Sequence, residues 1–105
     1  MRVTVSHNKS REEVIRAVDR SFDDLFRGIS IIPLHIANEQ RSWQGSTLNF
    51  SFTAKLGLLT SAIKGIVEVT DRDFTIDADL GLLETLLSAG GVRATLEGRI
   101  RGLLK

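Results

Sequence analysis

Four aspartates crowd into the stretch from Asp71 to Asp79, and His7 and His35 are the chain's only imidazoles. Carboxylates so spaced could ligate a divalent cation or share acid–base work, and a histidine beside one of them could serve as a general base. Their pattern points to a plainer role. Asp77 and Asp79 fall on one strand face with Thr75, opposite Phe74, Ile76 and Ala78, so alternation alone places them on a solvated side. Asp71, Arg72 and Asp73 form a polar turn suited to a hairpin. A zinc or iron site needs further convergent ligands, and neither HxxxH nor HExxH occurs. His7 therefore reads as a surface residue and His35 as a strand residue. A couple of His35 with Asp77 would be needed for chemistry on a fatty-acyl intermediate, and nothing in their setting brings them together. Ser10, Ser21, Ser30 and Ser42 lack a GxSxG elbow, and no loop matches GxxxxGK[ST] or GxGxxG. The expectation is a chain with no catalytic, cofactor-binding or metal-ligating residues.

The elements that would position such residues are more legible. Arg2 to His7 alternates, with Val3 and Val5 on one face, as a short strand does. Ser10 and Glu13 then form a capping box, and Val14, Ile15, Val18, Phe22, Leu25 and Phe26 recur at three- and four-residue steps. This predicts a helix from Ser10 to Arg27, with Arg27 in its last turn and Gly28 as its cap. From Ile29 to Gln44 the pattern is weaker: Pro33 confines any strand to an edge, and Asn38 to Ser42 reads as a loop. Trp43 and Gly45 lead into a strand carrying Leu48, Phe50 and Phe52 on one face. "AIKGIVEVTD" and "FTIDADL" continue the alternation, so three strands in succession predict an antiparallel meander. The last segment reads as helix from Leu82 to Leu87, interrupted at "SAGG", and resuming from Val92 to Leu104. Gly90 and Gly91 each cost about 1 kcal/mol relative to alanine in a helix, which favours a kink or break there.

One pattern is left over. "FSFTAKLGLL" from Phe50 and "FTIDADLGLL" from Phe74 align at a constant offset, each an alternating strand that ends in Leu-Gly-Leu-Leu. Glycine permits a positive φ at both turns. The structural reading is two strand exits solved alike, closing one end of the core. The functional reading is an apolar rim: Leu58, Leu59, Leu82 and Leu83 together would make an interaction surface for a partner, a second copy of the chain or a hydrophobic surface.

Composition bounds the rest. The 105 residues fit a single domain, residues 1–105, and 42% hydrophobic with 26% charged residues is ordinary for a globular chain. Fourteen basic and thirteen acidic residues, interspersed along the chain, give no footprint of a nucleic-acid binder. The absence of cysteine excludes disulfides and agrees with a reducing, cytoplasmic setting. No apolar h-region opens the chain and no stretch approaches the roughly 20 residues of a spanning helix, so neither export nor a transmembrane segment is expected. The tail from Arg93 to Lys105 sets Arg93, Arg99, Arg101 and Lys105 beside an apolar stripe, with Gly98 and Gly102 spaced as GxxxG, and reads as a docked amphipathic helix.

Taken together, "WQGSTLNFSF" from Trp43, "IKGIVEVTDRDFTIDADLGLL" from Ile63 and "LEGRIRGLL" from Leu96, after a capped N-terminal helix, resemble the small bacterial polyhydroxyalkanoic acid system family. The resemblance covers most of the chain. It implies a granule-associated or regulatory role in polyhydroxyalkanoate storage, with a granule surface or a granule-coat protein as partner, and it carries over no site residues. The fold expected from the residues is α+β: one antiparallel sheet of about four strands, with the N-terminal helix and a broken C-terminal helix packed on one face. The function expected is a non-catalytic accessory protein acting by surface or protein–protein binding, as a monomer or homodimer. The alternative is a small module that encloses an acyl or lipid-like ligand between helices and sheet.

Overall fold

Alternation of apolar and polar residues decides the strands, and the strands decide the fold. A computed structural model describes residues 1–26, 35–82 and 89–105. The described elements run β1 (Arg2–Ser6), α1 (Arg11–Phe26), β2 (His35–Gln44), β3 (Thr47–Leu56), β4 (Leu59–Val69), β5 (Asp73–Asp79) and α2 (Ala89–Leu103). All strand pairs are antiparallel, in the order β1-β5-β4-β3-β2. The meander of β2 to β5 is therefore extended by β1, which pairs with the free edge of β5. The fold is α+β, with a single antiparallel sheet of five strands.

One face of the sheet supplies the core. Leu48, Phe50, Phe52, Ala54 and Leu56 of β3 are buried, as are Ile63, Val67 and Val69 of β4 and Phe74, Ile76 and Ala78 of β5. Helix α1 starts at the capping box read from the sequence: the Ser10 hydroxyl accepts from the Glu13 amide at 3.2 Å, and the Glu13 carboxylate accepts from the Ser10 amide at 3.4 Å. Its Phe22 and Phe26, one turn apart, meet Phe50 and Phe52 of β3. Ring centroids are 5.0 Å apart in both the Phe22–Phe50 and the Phe26–Phe52 pair, at edge-to-face angles. Helix α2 lies against β1 and α1, burying Val92, Leu96, Ile100 and Leu104. Gly65, on the core face of β4, leaves room for the Phe50 ring: a Cβ there would stand 2.7 Å from its tip.

Several expectations change. Asn38 to Ser42 is not a loop but part of β2, which pairs with β3 along its length and takes up a bulge between Ala37 and Gln40. Asn38 sits at φ 55° there, a conformation asparagine tolerates better than most residues. The bulge shifts the phase of the strand, which is why its alternation is hard to read, and it belongs on an edge strand that must not invite further pairing. The interruption expected at Ser88 to Gly91 is corrected from Ala89 onward: α2 runs from Ala89 through Gly90 and Gly91 into the tail without a break, and Ser88 lies outside the described residues. Leu82 is in a turn, not a helix, and the remainder of the expected Leu82 to Leu87 piece lies outside the described residues, as do Arg27, Gly28 and Pro33. His7 is buried, not on the surface. It prolongs the core face of Val3 and Val5; its Nδ1 accepts from the Lys9 amide at 3.2 Å, so Nε2 carries the proton and donates to the Thr70 carbonyl at 2.9 Å.

Candidate functional site

The first LGLL closes the β3–β4 hairpin. Pairing runs from Thr47↔Glu68 to Leu56↔Leu59, leaving Gly57 and Leu58 as a two-residue turn. Gly57 has φ +63° while Leu58 stays at negative φ, the type II′ pattern that matches the twist of the flanking strands. Leu56 points into the core, whereas Leu58 at the tip is fully exposed and Leu59 is 45% exposed. The second LGLL solves a different task by the same rule. Leu80 is buried, Gly81 has φ +57°, and Leu82 is 60% exposed.

Ser61 holds this second turn. It is buried on β4, two residues past Leu59, and its hydroxyl donates to the Leu80 carbonyl and accepts from the Leu82 amide, each at 3.0 Å. Asp79 contributes its carboxylate, which accepts from the Gly81 amide at 2.9 Å. The result is that Leu58, Leu59 and Leu82 stand at the same end of the sheet; Leu83 lies outside the described residues. The sequence signals the leucines through the repeat. It does not signal Ser61, whose partners come from another strand.

The carboxylates suspected of chemistry are not gathered. Asp77 is exposed on the open face of the sheet, across from Ile66 and Arg2, in a shallow depression that Lys64, Glu68 and Asp79 also line. His35 opens β2, with β3 and β4 between it and β5, a lateral separation of roughly 14 Å. Along the strands, His35 is level with Lys55 and Thr60, whereas Asp77 is level with Ile66. His35 and Asp77 thus make no acid–base couple. Among the described residues, no three His, Asp or Glu side chains converge as a metal-ligand set, and no helix is long and apolar enough to cross a membrane.

A cluster the sequence did not suggest lies where β2 meets α1. The Arg41 guanidinium donates to the Asp19 carbonyl at 2.7 Å and carboxylate at 3.2 Å, lies 2.7 Å from the Glu39 carboxylate, and rests 5.3 Å over the Phe22 ring. The Trp43 indole donates to the same Asp19 carboxylate at 3.1 Å. Burial pushes the Glu39 carboxyl above the usual glutamate range, the neighbouring Asp23 carboxyl adds to this, and Arg41 opposes it. The contacts of Arg41 and Trp43 to Asp19 stitch the edge strand to the helix, while Glu39 Oε1 and Asp23 Oδ1 stay buried without a hydrogen-bond partner among the described residues. The space between α1 and the sheet, where an acyl ligand would be enclosed, is occupied by the four phenyl rings.

Comparison of the chain with protein-family models, with curated proteins and with solved structures finds no match in any of the three.

Proposed function

We propose that the protein is a non-catalytic binding module that docks onto an apolar surface through the leucines of its two LGLL turns. The observation that carries this reading is Leu58. Position two of a type II′ turn makes no demand for a large apolar residue, yet a fully exposed leucine occupies it, with Leu59 and Leu82 exposed at the same end. Burying a fully exposed aliphatic side chain contributes about 1.5–3 kcal/mol. Leu59 and Leu82 are already partly covered, so the three leucines supply less than about 9 kcal/mol against an association cost of about 4 kcal/mol or more, which makes the attachment a weak and reversible one. The resemblance to the polyhydroxyalkanoic acid system family makes a storage-polymer granule, or the protein coat on one, the surface to test first.

The test is co-sedimentation of the purified protein with isolated polyhydroxyalkanoate granules, set against a Leu58→Glu, Leu82→Glu double variant. Both changes fall on exposed side chains, and circular dichroism checks that the fold survives. Native protein in the pellet and the variant in the supernatant is the expected outcome. Native protein that stays in solution, or a variant that pellets equally well, defeats the reading.

A further inference from the structure

We propose that the groove between α1 and the end of α2 binds a phosphate-bearing ligand, a function separate from the leucine-tipped end of the sheet. The groove is about 490 Å³ and is lined by Lys9, Glu13, Arg16, Arg20, Ser21 and Leu103. Glu13, Arg16 and Arg20 recur at steps of three and four, which sets them in one row on α1, and Lys9 lies just before the helix and lines the same groove.

The charges in this groove are unbalanced. Glu13 is engaged at the helix cap; the Ser10 hydroxyl and amide hold its carboxyl below the usual glutamate range, with the charges of Lys9 and Arg16 adding to the effect. Among the described residues, the Lys9 ammonium and the Arg16 and Arg20 guanidinium groups make no hydrogen bond or ion pair. Arg11 is held by Asp71, Arg41 by Asp19, Arg99 by the Asp24 carbonyl and Arg101 by Glu97, while other exposed cations such as Lys55, Lys64 and Arg93 are also without a partner among the described residues. What sets Lys9, Arg16 and Arg20 apart is that they line one groove. Arg16 and Arg20 are like charges one helical turn apart, an arrangement that opposes helix formation by about a few tenths of a kcal/mol and that a bound anion would relieve. Three cations against one carboxylate leave an excess that a phosphate monoester, carrying about −1.5 to −2 at neutral pH, would neutralise.

The donor set suits that group. Two guanidinium forks can each address a pair of phosphate oxygens, and the lysine adds a point charge. Ser21 supplies a hydroxyl where α1 departs from helical geometry (φ −112°, ψ 16°). Leu103 forms an apolar wall from α2, against which the organic part of a phosphate ester can lie. A carboxylate ligand would use the same cations with one charge fewer, so the excess favours the dianion.

Pyrophosphate is the probe, titrated at low ionic strength and followed by amide chemical shifts of the full chain. The expected result is saturable shifts at Lys9 to Ser21 and Leu103, affinity that falls with added salt, and binding at least about tenfold weaker in an Arg16→Gln, Arg20→Gln double variant. An Arg93→Gln variant, altered on the outer face of α2, should bind as the native chain does. Vesicles containing phosphatidic acid distinguish a lipid phosphate from a free one. Sedimentation with them that is lost in the double variant supports a headgroup, and pyrophosphate binding without vesicle binding supports a soluble ester. Absence of pyrophosphate binding, shifts spread over all basic residues, or equal weakening by Arg93→Gln overturns the proposal. None of these outcomes depends on the granule test, because Leu58 and Leu82 are left intact.

Discussion

The two LGLL turns look alike in sequence and should respond unequally to the same substitution. Alanine at Gly57 must adopt φ +63°, a left-handed conformation that costs an L-residue roughly 1–2 kcal/mol, but its Cβ meets nothing within 4 Å. Alanine at Gly81 carries the same backbone penalty at φ +57° and also places a Cβ 2.7 Å from the Ser61 hydroxyl and 2.9 Å from the Ala62 carbonyl. The hydroxyl cannot swing aside freely, because it bridges the Leu80 carbonyl and the Leu82 amide. Displacing it gives up both hydrogen bonds of a buried hydroxyl, at about 1–3 kcal/mol. We therefore expect Gly57→Ala to destabilise by about 1 kcal/mol and Gly81→Ala by about 3 kcal/mol. For a domain of this size the difference of about 2 kcal/mol corresponds to roughly 8–16 °C in melting temperature. Urea denaturation of both variants at equal m-value measures it directly. A Ser61→Ala background provides the cycle: there the cost of Gly81→Ala should fall toward that of Gly57→Ala. Equal costs in the native background, or a cost at Gly81 indifferent to Ser61, would refute the clamp.

Three further outcomes are expected. Because the Glu39 carboxyl is raised in the folded chain, its contribution to stability is complete below the ordinary value of 4.5 and is lost as pH rises through the folded value. Glu39→Gln should accordingly unfold at higher urea than the native chain at pH 7, with the gap closing on acidification; a variant less stable at pH 7 would mean that the attraction of Arg41 prevails. Gly98 and Gly102 are exposed on α2 with open space around any added Cβ, so alanine at each should stabilise by about 0.5–1 kcal/mol, and a loss of stability in thermal unfolding would contradict the placement of that helix. Phe22→Ala removes a ring packed against Phe26, Phe50 and Phe52 and should cost about 3–5 kcal/mol in urea denaturation, whereas a cost below about 1 kcal/mol would show that the four-ring cluster does not form the core.

Where the local pattern was strong, the fold could be read in advance. The capping box at Ser10 and Glu13, the apolar stripe of α1, the alternation of β3 and β5 and the turn at Asp71 and Arg72 are all short-range features, and each recurs in the structure at its expected place. β2 was illegible because a bulge at Asn38 changes its phase, so that Glu39, Arg41 and Trp43 give no periodic signal. His7 misled for a related reason: one more step of the β1 alternation buries it, and its hydrogen bonds to Lys9 and Thr70 make burial tolerable. α2 continues through Gly90 and Gly91 because burial of Val92, Leu96, Ile100 and Leu104 outweighs two unfavourable propensities.

The repeated LGLL shows the same division at the level of the site. By itself the sequence determined that two glycines sit beyond two alternating strands and that leucines flank them, since both are matters of local composition and period. Only the tertiary structure decided which leucines are buried and which exposed, because that depends on a hairpin register between β3 and β4 and on a serine reaching across from β4 to the exit of β5. The groove at α1 follows the same logic: the row of Glu13, Arg16 and Arg20 is written in helical spacing, while the wall of Leu103 is a consequence of how α2 packs beside it. Spacing along the chain fixes which side chains share a face; only the packing of distant segments fixes what that face meets.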